Sequence, residues 1–318
     1  MRHTSAMRRE STVAEHIPYA AHVSPTVVRT LAGDYLQVFR LAGASFESAD
    51  DAALNNWHER LNVTWRNLAG PNVALWTHVV RRRESVAFRP SRGKAFAEAL
   101  ADRYQRRLTG ETLMVNELTL CLVYRPVTGA ATGLAAKWLS GRHGASRGQD
   151  LVDALDACEK LAQTVVASLA RYEPEALGVY ARGERICSQL LEFLALLVNG
   201  EFQARPLTLA PLNQTLATSR LIFGSEVIEY RLPTRTRVGA MLGIKEYPTP
   251  STVGMVNALL SAPFEFVLTQ SFTFLSKAVG QGLLQRQRAR MANAGDFAVS
   301  QAQELLEALD ALTSNEFV

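Results

Sequence analysis

Cysteine, lysine and long apolar runs are scarce in this 318-residue sequence, and each scarcity argues against a class of protein. Cys121, Cys158 and Cys187 are the only cysteines, and no two stand at CxxC spacing. Each lies in an apolar run, where a free thiol behaves as a small core hydrophobe. Neither a disulfide framework nor a zinc site is expected, and a reducing compartment follows. The longest apolar run, residues 190–198, is interrupted by Glu192 and falls short of the ~20 residues a spanning helix needs. Residues 1–12 are polar and arginine-bearing, without the apolar stretch of a secretory signal. The chain is therefore expected in the cytoplasm, reaching a membrane only through partners. Lysines number five (Lys94, Lys137, Lys160, Lys245 and Lys277) among 34 basic residues, a bias that reflects a GC-rich genome rather than a function.

Signatures of chemistry are equally sparse. A P-loop wraps phosphates in glycine N–H groups and adds Lys and Ser/Thr for charge and Mg²⁺. No GxxxxGK[ST] occurs, and residues 141–148 share only its glycines. The six histidines (His3, His16, His22, His58, His78 and His143) form no HExxH or HxH pair, so no metal or cofactor site is expected. His78 reads as a strand histidine bonded within the core. No GxSxG elbow is present. Asp50-Asp51 reads as a helix start, because a carboxylate accepts orphan N–H groups there. The sequence marks no catalytic residue.

A core, by contrast, is amply supplied. Apolar residues make up 47% and charged residues 20%, the balance of an ordinary globular chain. Its length suits one large or two closely packed domains. The net charge of +4 divides unevenly: residues 1–150 carry 20 Lys/Arg against 13 Asp/Glu (+7), and residues 151–318 carry 14 against 17 (−3). A basic first half suits acidic partners or an anionic membrane face, and equally an ordinary solvated surface.

Residues 1–15 read as a flexible lead and residues 16–126 as a first α+β subdomain. Within it, strands are expected at 35–41, 73–80 and 113–124. Leu54, Trp57, Leu61, Trp65 and Leu68 draw one helical stripe closed by Gly70-Pro71, and a second helix spans about 92–108. Residues 127–149, rich in Gly and Ser, read as a linker or long loop. Residues 150–318 form a second α+β subdomain. It opens on a helix striped by Leu151, Leu155, Cys158, Ala162, Val165 and Leu169. A strand at 176–182, a buried helix at 186–198 and a hairpin of 220–223 with 227–232 follow. Further expectations are a strand at 237–247, a helix at 252–260, a strand at 264–274 and two closing helices, about 278–294 and 296–312. The whole is an α+β fold with largely antiparallel mixed sheets packed against helices, ending in a helical hairpin. A doubly wound parallel sheet is the alternative.

Arg81, Arg82 and Arg83 are the one basic cluster singled out. They follow the strand of Leu75, Trp76, Thr77 and His78, and the strand is expected to stop at them. Three guanidinium groups could grip phosphates or a carboxylate-lined partner; the plainer reading is a loop kept soluble by charge. No aromatics interleave with them, as a single-strand nucleic-acid platform would require.

Six phrases taken in order resemble one family. They are Ile17-Pro18-Tyr19, Leu75-Trp76-Thr77-His78 with the three arginines, Met114-Val115-Asn116-Glu117, Val123-Tyr124-Arg125-Pro126, Leu191-Glu192-Phe193-Leu194 with Leu197-Val198-Asn199-Gly200, and Phe266 to Phe272. Together they are similar to the amino-terminal part of the type IV secretion ATPase, the CagE/TrbE/VirB family. The resemblance implies a docking and assembly half, not catalytic by itself. ATP and Mg²⁺ would belong to a RecA-like motor domain missing from this chain. Implied partners are the other secretion components at the inner membrane and further copies of the chain, in pilus biogenesis, conjugation and the export of DNA or protein. A nucleic-acid-binding module is the alternative function.

Overall fold

The computed structural model describes residues 11–45, 48–84, 95–126, 144–244, 254–275 and 277–292, with positions 306 and 310. Its centre is one sheet of seven strands. They are β1 (Tyr19–Ser24), β2 (Val27–Thr30), β3 (Tyr35–Leu41), β4 (Val73–Glu84), β5 (Leu113–Tyr124), β6 (Pro174–Ala176) and β12 (Phe266–Thr273). The order is β1-β2-β3-β5-β4-β12, and β6 joins β3 beyond the reach of β2. Every pairing is antiparallel, which excludes the parallel alternative. Strands from both sides of residues 127–149 share this sheet.

Alternation along the strands sends side chains to two covered faces. Leu36, Val38, Ala74, Val80, Cys121 and Val123 lie on one face, against helix α4 (Gln189–Asn199). Phe39, Val73, Leu75, Leu120 and Leu122 lie on the other, against α1 (Asp51–Leu68) and α3 (Gly144–Ser168). Both faces being covered explains why β3 and β5 read as near-continuous apolar runs.

The helices form where their signals stand. Asp50 Oδ1 accepts the Ala53 N–H at 2.7 Å and opens α1. Leu61, Trp65 and Leu68 from its expected stripe enter the core, while Trp57 stacks under Arg171, whose guanidinium carbon lies 3.5 Å from the ring centroid. In α3, Cys158 and Val165 of the expected stripe are buried, as is Leu169 just past its end. This helix begins at Gly144, inside the stretch read as Gly/Ser-rich connection. Its early glycines cost helix propensity of about 1 kcal/mol each, outweighed by the apolar face that follows.

Several elements differ from the sequence reading. The strand expected at 176–182 is two strands, β6 and β7 (Val179–Arg182), parted where Leu177 enters the core and donates its N–H to Val38. The buried helix starts at Gln189 rather than 186. Gly183, at φ +61°, turns the chain back so that β8 (Arg185–Ser188) pairs with β7, and Ser188 then caps α4. The strand expected at 237–247 is β11 (Thr236–Gly239). It closes a three-stranded sheet with β9 (Arg220–Phe223) and β10 (Ile228–Arg231); residues 240–244 leave the ladder, and residues 245–247 lie outside the described residues. Of the expected helix at 252–260, residues 252 and 253 lie outside the described residues, and the rest is a turn followed by a 3-10 turn (Asn257–Ser261) stopped by Pro263. Among the remaining helices, α2 (Ala95–Gly110) links β4 to β5, α5 (Leu212–Thr215) is one turn, and α6 (Lys277–Ala292) follows β12. The expected closing helix at 296–312 lies outside the described residues except at positions 306 and 310, both helical. In the expected lead, Val13–Glu15 form a 3-10 turn capped by Thr12, and Val13 packs on the core.

Helix α4 ends on a buried polar knot. Asn199 donates to the carbonyls of Ala195 and Leu216 and accepts from Thr218 N, Ser219 N and Ser219 Oγ, all within 3.0 Å. Gly200, at φ +72°, takes the left-handed conformation that closes the helix. Asn199→Ala leaves five groups without this partner, and a loss of about 2–4 kcal/mol is expected in urea denaturation.

Candidate functional site

The three arginines lie within β4, not after it. β4 and β5 pair from Val73↔Tyr124 to Glu84↔Leu113, so the strand runs four residues past its expected end at 80. Charge did not stop it because the Arg81 and Arg82 guanidinium groups reach partners within the fold. Arg81, only 8% exposed, donates through Nε to the Ala262 carbonyl at 2.6 Å and through Nη1 to Asn116 Oδ1 at 2.9 Å. Asn116 Nδ2 in turn donates to the Leu260 carbonyl at 3.0 Å. Arg81 thus fixes the turn that delivers the chain into β12. Arg82 points to the opposite face, bonded to Glu117 at 3.0 and 2.6 Å and to Glu84, with its guanidinium over the Phe202 ring. Arg83 is exposed, and its backbone N–H donates to Glu265, which also holds Arg237. The cluster is therefore not one cationic surface: two of its members are committed within the fold.

His78 bridges three strands. It stands opposite Thr119 on β5 and Thr269 on β12; its Nδ1 lies 2.9 Å from Thr269 Oγ1, and its ring meets Phe193 edge-on at 5.3 Å. Among the described residues its Nε2 has no partner. Burial lowers its pKa from 6.5 to about 4. The reading of a bonded core histidine holds.

No local pattern points to His22 beside Ser188, which lie 166 residues apart. His22 Nδ1 lies 2.6 Å from the Ser24 carbonyl, and its Nε2 lies 2.9 Å from Ser188 Oγ. One assignment satisfies every group: Nδ1–H donates to the carbonyl, Nε2 accepts from the hydroxyl, and Ser188 Oγ accepts the Leu191 N–H at 3.2 Å. This serine is fully buried and caps α4, so the pair is structural rather than nucleophilic. Burial pushes the Cys158 thiol up to about 12 and Cys121 higher still, which leaves neither a ready nucleophile. Among the described residues no three His, Cys, Asp or Glu side chains group to hold a metal, and no helix is long and apolar enough to cross a membrane.

A surface suited to binding lies at the β12 edge. Among the described residues no strand pairs with its outer side, and six of its eight residues are exposed. Beside it runs a groove of about 900 Å³ between α1 and the sheet. Leu75, Leu120, Trp65 and Phe272 give it apolar walls, and Asn62, Arg66 and Gln270 add polar groups. Thr77 Oγ1 donates to Gln270 Oε1 at 3.3 Å across the β4–β12 ladder. A smaller cavity of about 300 Å³ on the opposite face holds Arg82, Glu117 and Glu192. There the charges are already satisfied, Glu192 accepting from Tyr180 at 2.5 Å.

Two stability predictions follow from these contacts. Arg81→Ala removes the clamp on residues 260–262 and should cost about 2–4 kcal/mol in urea denaturation, with Arg81→Lys recovering only part because one ammonium cannot serve both acceptors in the same geometry. For His78, the unfolded chain takes up a proton near pH 6.5 and the folded chain only near 4. Stability is therefore lost as pH falls through that window, by roughly 2 kcal/mol, and His78→Asn should flatten the profile measured by thermal melts between pH 7 and 4.

Two family models match successive parts of the chain. "Type IV secretion system ATPase VirB4/TrbE, N-terminal domain" covers residues 26–131, and "CagE, TrbE, VirB family, component of type IV transporter system" covers residues 175–318. The type IV secretion system protein virB4 of Bartonella quintana is 38% identical over 315 residues, 99% of this chain and 40% of that protein. PtlC of Bordetella pertussis is 35% identical over 320 residues, 98% of this chain and 38% of that protein. The virB4 protein of Brucella suis is 33% identical over 324 residues, all of this chain and 39% of that protein. The chain thus spans about 40% of the length of the curated relatives it matches. With both models and these relatives along nearly its whole length, the chain belongs to the VirB4/TrbE family of type IV secretion ATPases.

Proposed function

We propose that this segment is the docking and assembly half of a type IV secretion motor. It joins the motor to other secretion components at the inner membrane, for pilus biogenesis, conjugation and the export of DNA or protein. In this reading ATP and Mg²⁺ act in a motor region outside the residues of this chain. The observation that carries it is the β12 edge with its apolar groove. An unpaired strand offers a row of backbone donors and acceptors to an extended segment, and the groove receives alternate side chains of that segment. Self-assembly is part of the same proposal, since an edge strand can serve a second copy as well as a different partner.

A nucleic-acid-binding role draws support from the +7 charge of residues 1–150. It is weakened by Arg81 and Arg82, whose guanidinium groups are spent on Ala262, Asn116, Glu117 and Glu84. Binding through phosphates would weaken steeply with salt.

The test is a pull-down of inner-membrane secretion components by the purified chain and by Phe272→Glu. Phe272 lines the groove and is 49% exposed, so its replacement should leave the thermal melt within a few degrees while lowering recovery roughly tenfold. Recovery of nothing by the wild-type chain, or equal recovery by the variant, would contradict the reading.

A further inference from the structure

The two faces of β12 differ in chemistry, and that difference constrains what can be added at its edge. Antiparallel partners share a face, so the β4–β12 register sets Phe266, Leu268, Gln270 and Phe272 on the side of Leu75. Val267, Thr269, Ser271 and Thr273 stand on the other side, all of them exposed. The first side is the groove side, where Phe272 joins Leu75, Leu120 and Trp65 in the apolar wall. The second presents a row of hydroxyls. A strand added here would place alternate side chains in an apolar groove and those between them beside Thr and Ser, a pairing that suits small polar residues.

Charge narrows the partner further. Of the residues that line the groove, Arg66 is the only charged one. It is exposed, and among the described residues it has no hydrogen-bond or ion-pair partner. In this it differs from Arg81 and Arg82, which are held within the fold. Arg66 lies in the last turn of α1, which leads through residues 69–72 into β4, and there Leu75 pairs with Phe272. The uncommitted guanidinium therefore stands at the Phe272 end of the groove. Apolar walls with one available cation fit an extended segment that carries a carboxylate, since the guanidinium can take it through two donors. A nucleic-acid backbone would bring a charge with every nucleotide to a groove that offers one cation.

We propose that the segment taken up at β12 is an extended stretch of alternating apolar and polar residues with an acidic side chain at the end that meets Arg66. This rests on the docking reading above and adds the chemistry of the partner, with Arg66 as the residue that selects it. The test is fluorescence anisotropy of the purified chain with labelled synthetic peptides of the length of β12. Leu and Thr alternate in them, and Asp or Lys occupies either the first or the last position; a control keeps the Asp but groups its leucines. One of the Asp peptides should bind about fivefold tighter than its Lys counterpart at low salt, a difference that shrinks as salt screens the pair. The grouped control should bind more weakly than either. R66E should reverse the order of the Asp and Lys peptides with an unchanged melt, because the side chain is exposed. Asp and Lys peptides that bind the wild-type chain alike, or an R66E variant that still prefers Asp, overturn the proposal and leave docking at β12 standing. Failure of every peptide to bind overturns it as well, whereas the docking reading falls only with the pull-down.

Discussion

The register of β4 on β5 is the constraint from which the rest of the structure follows. Twelve consecutive pairs, Val73↔Tyr124 to Glu84↔Leu113, decide which side chains share a face. A slip of one residue would carry Ala74, Val80 and Cys121 to the wrong side and put Val73, Leu75 and Leu122 against α4. Burial on both faces forbids this, since each face is filled by a different set of helices. The same register sets His78 opposite Thr119 and Arg81 opposite Asn116, so the buried polar groups find partners only in this alignment.

That alignment also makes the edge. β12 pairs with β4 over eight residues, from Phe266↔Arg81 to Thr273↔Ala74, and its entry is pinned by Arg81 on Ala262 and by Glu265 on the Arg83 N–H. An edge strand held firmly on one side and, among the described residues, unpaired on the other is preorganised for strand addition, because little ordering entropy remains to be lost on its own side. The arginines of β4 serve that rigidity more than any cationic grip.

Much of this was legible in the sequence, and the misses have physical causes. β3 and β5 were placed to the residue because their apolar runs are bounded by turn formers. The α1 stripe, its aspartate cap and the burial of His78 followed from periodicity and local chemistry. The end of β4 was misread because three adjacent charges resemble a solvated loop. Their partners, Ala262 and Glu117, lie 181 and 35 residues away, where no local pattern could point to them. The start of α4 was placed early because Ile186 and Cys187 are apolar enough for either element, and only Gly183 and Ser188 decide between them. The groove was invisible for the same reason, since its walls come from α1, β4, β5 and β12. Family membership, by contrast, was carried by phrases spread along the whole chain.

The central claim is that the open side of β12 is where a secretion partner binds. Hydrogen–deuterium exchange of the chain with and without the inner-membrane components measures it directly. Amides of Phe266–Thr273 should gain protection on binding, while those of β3 and β5, already paired on both sides, stay as they were. Binding that leaves the β12 amides unchanged and protects another region instead would contradict the account.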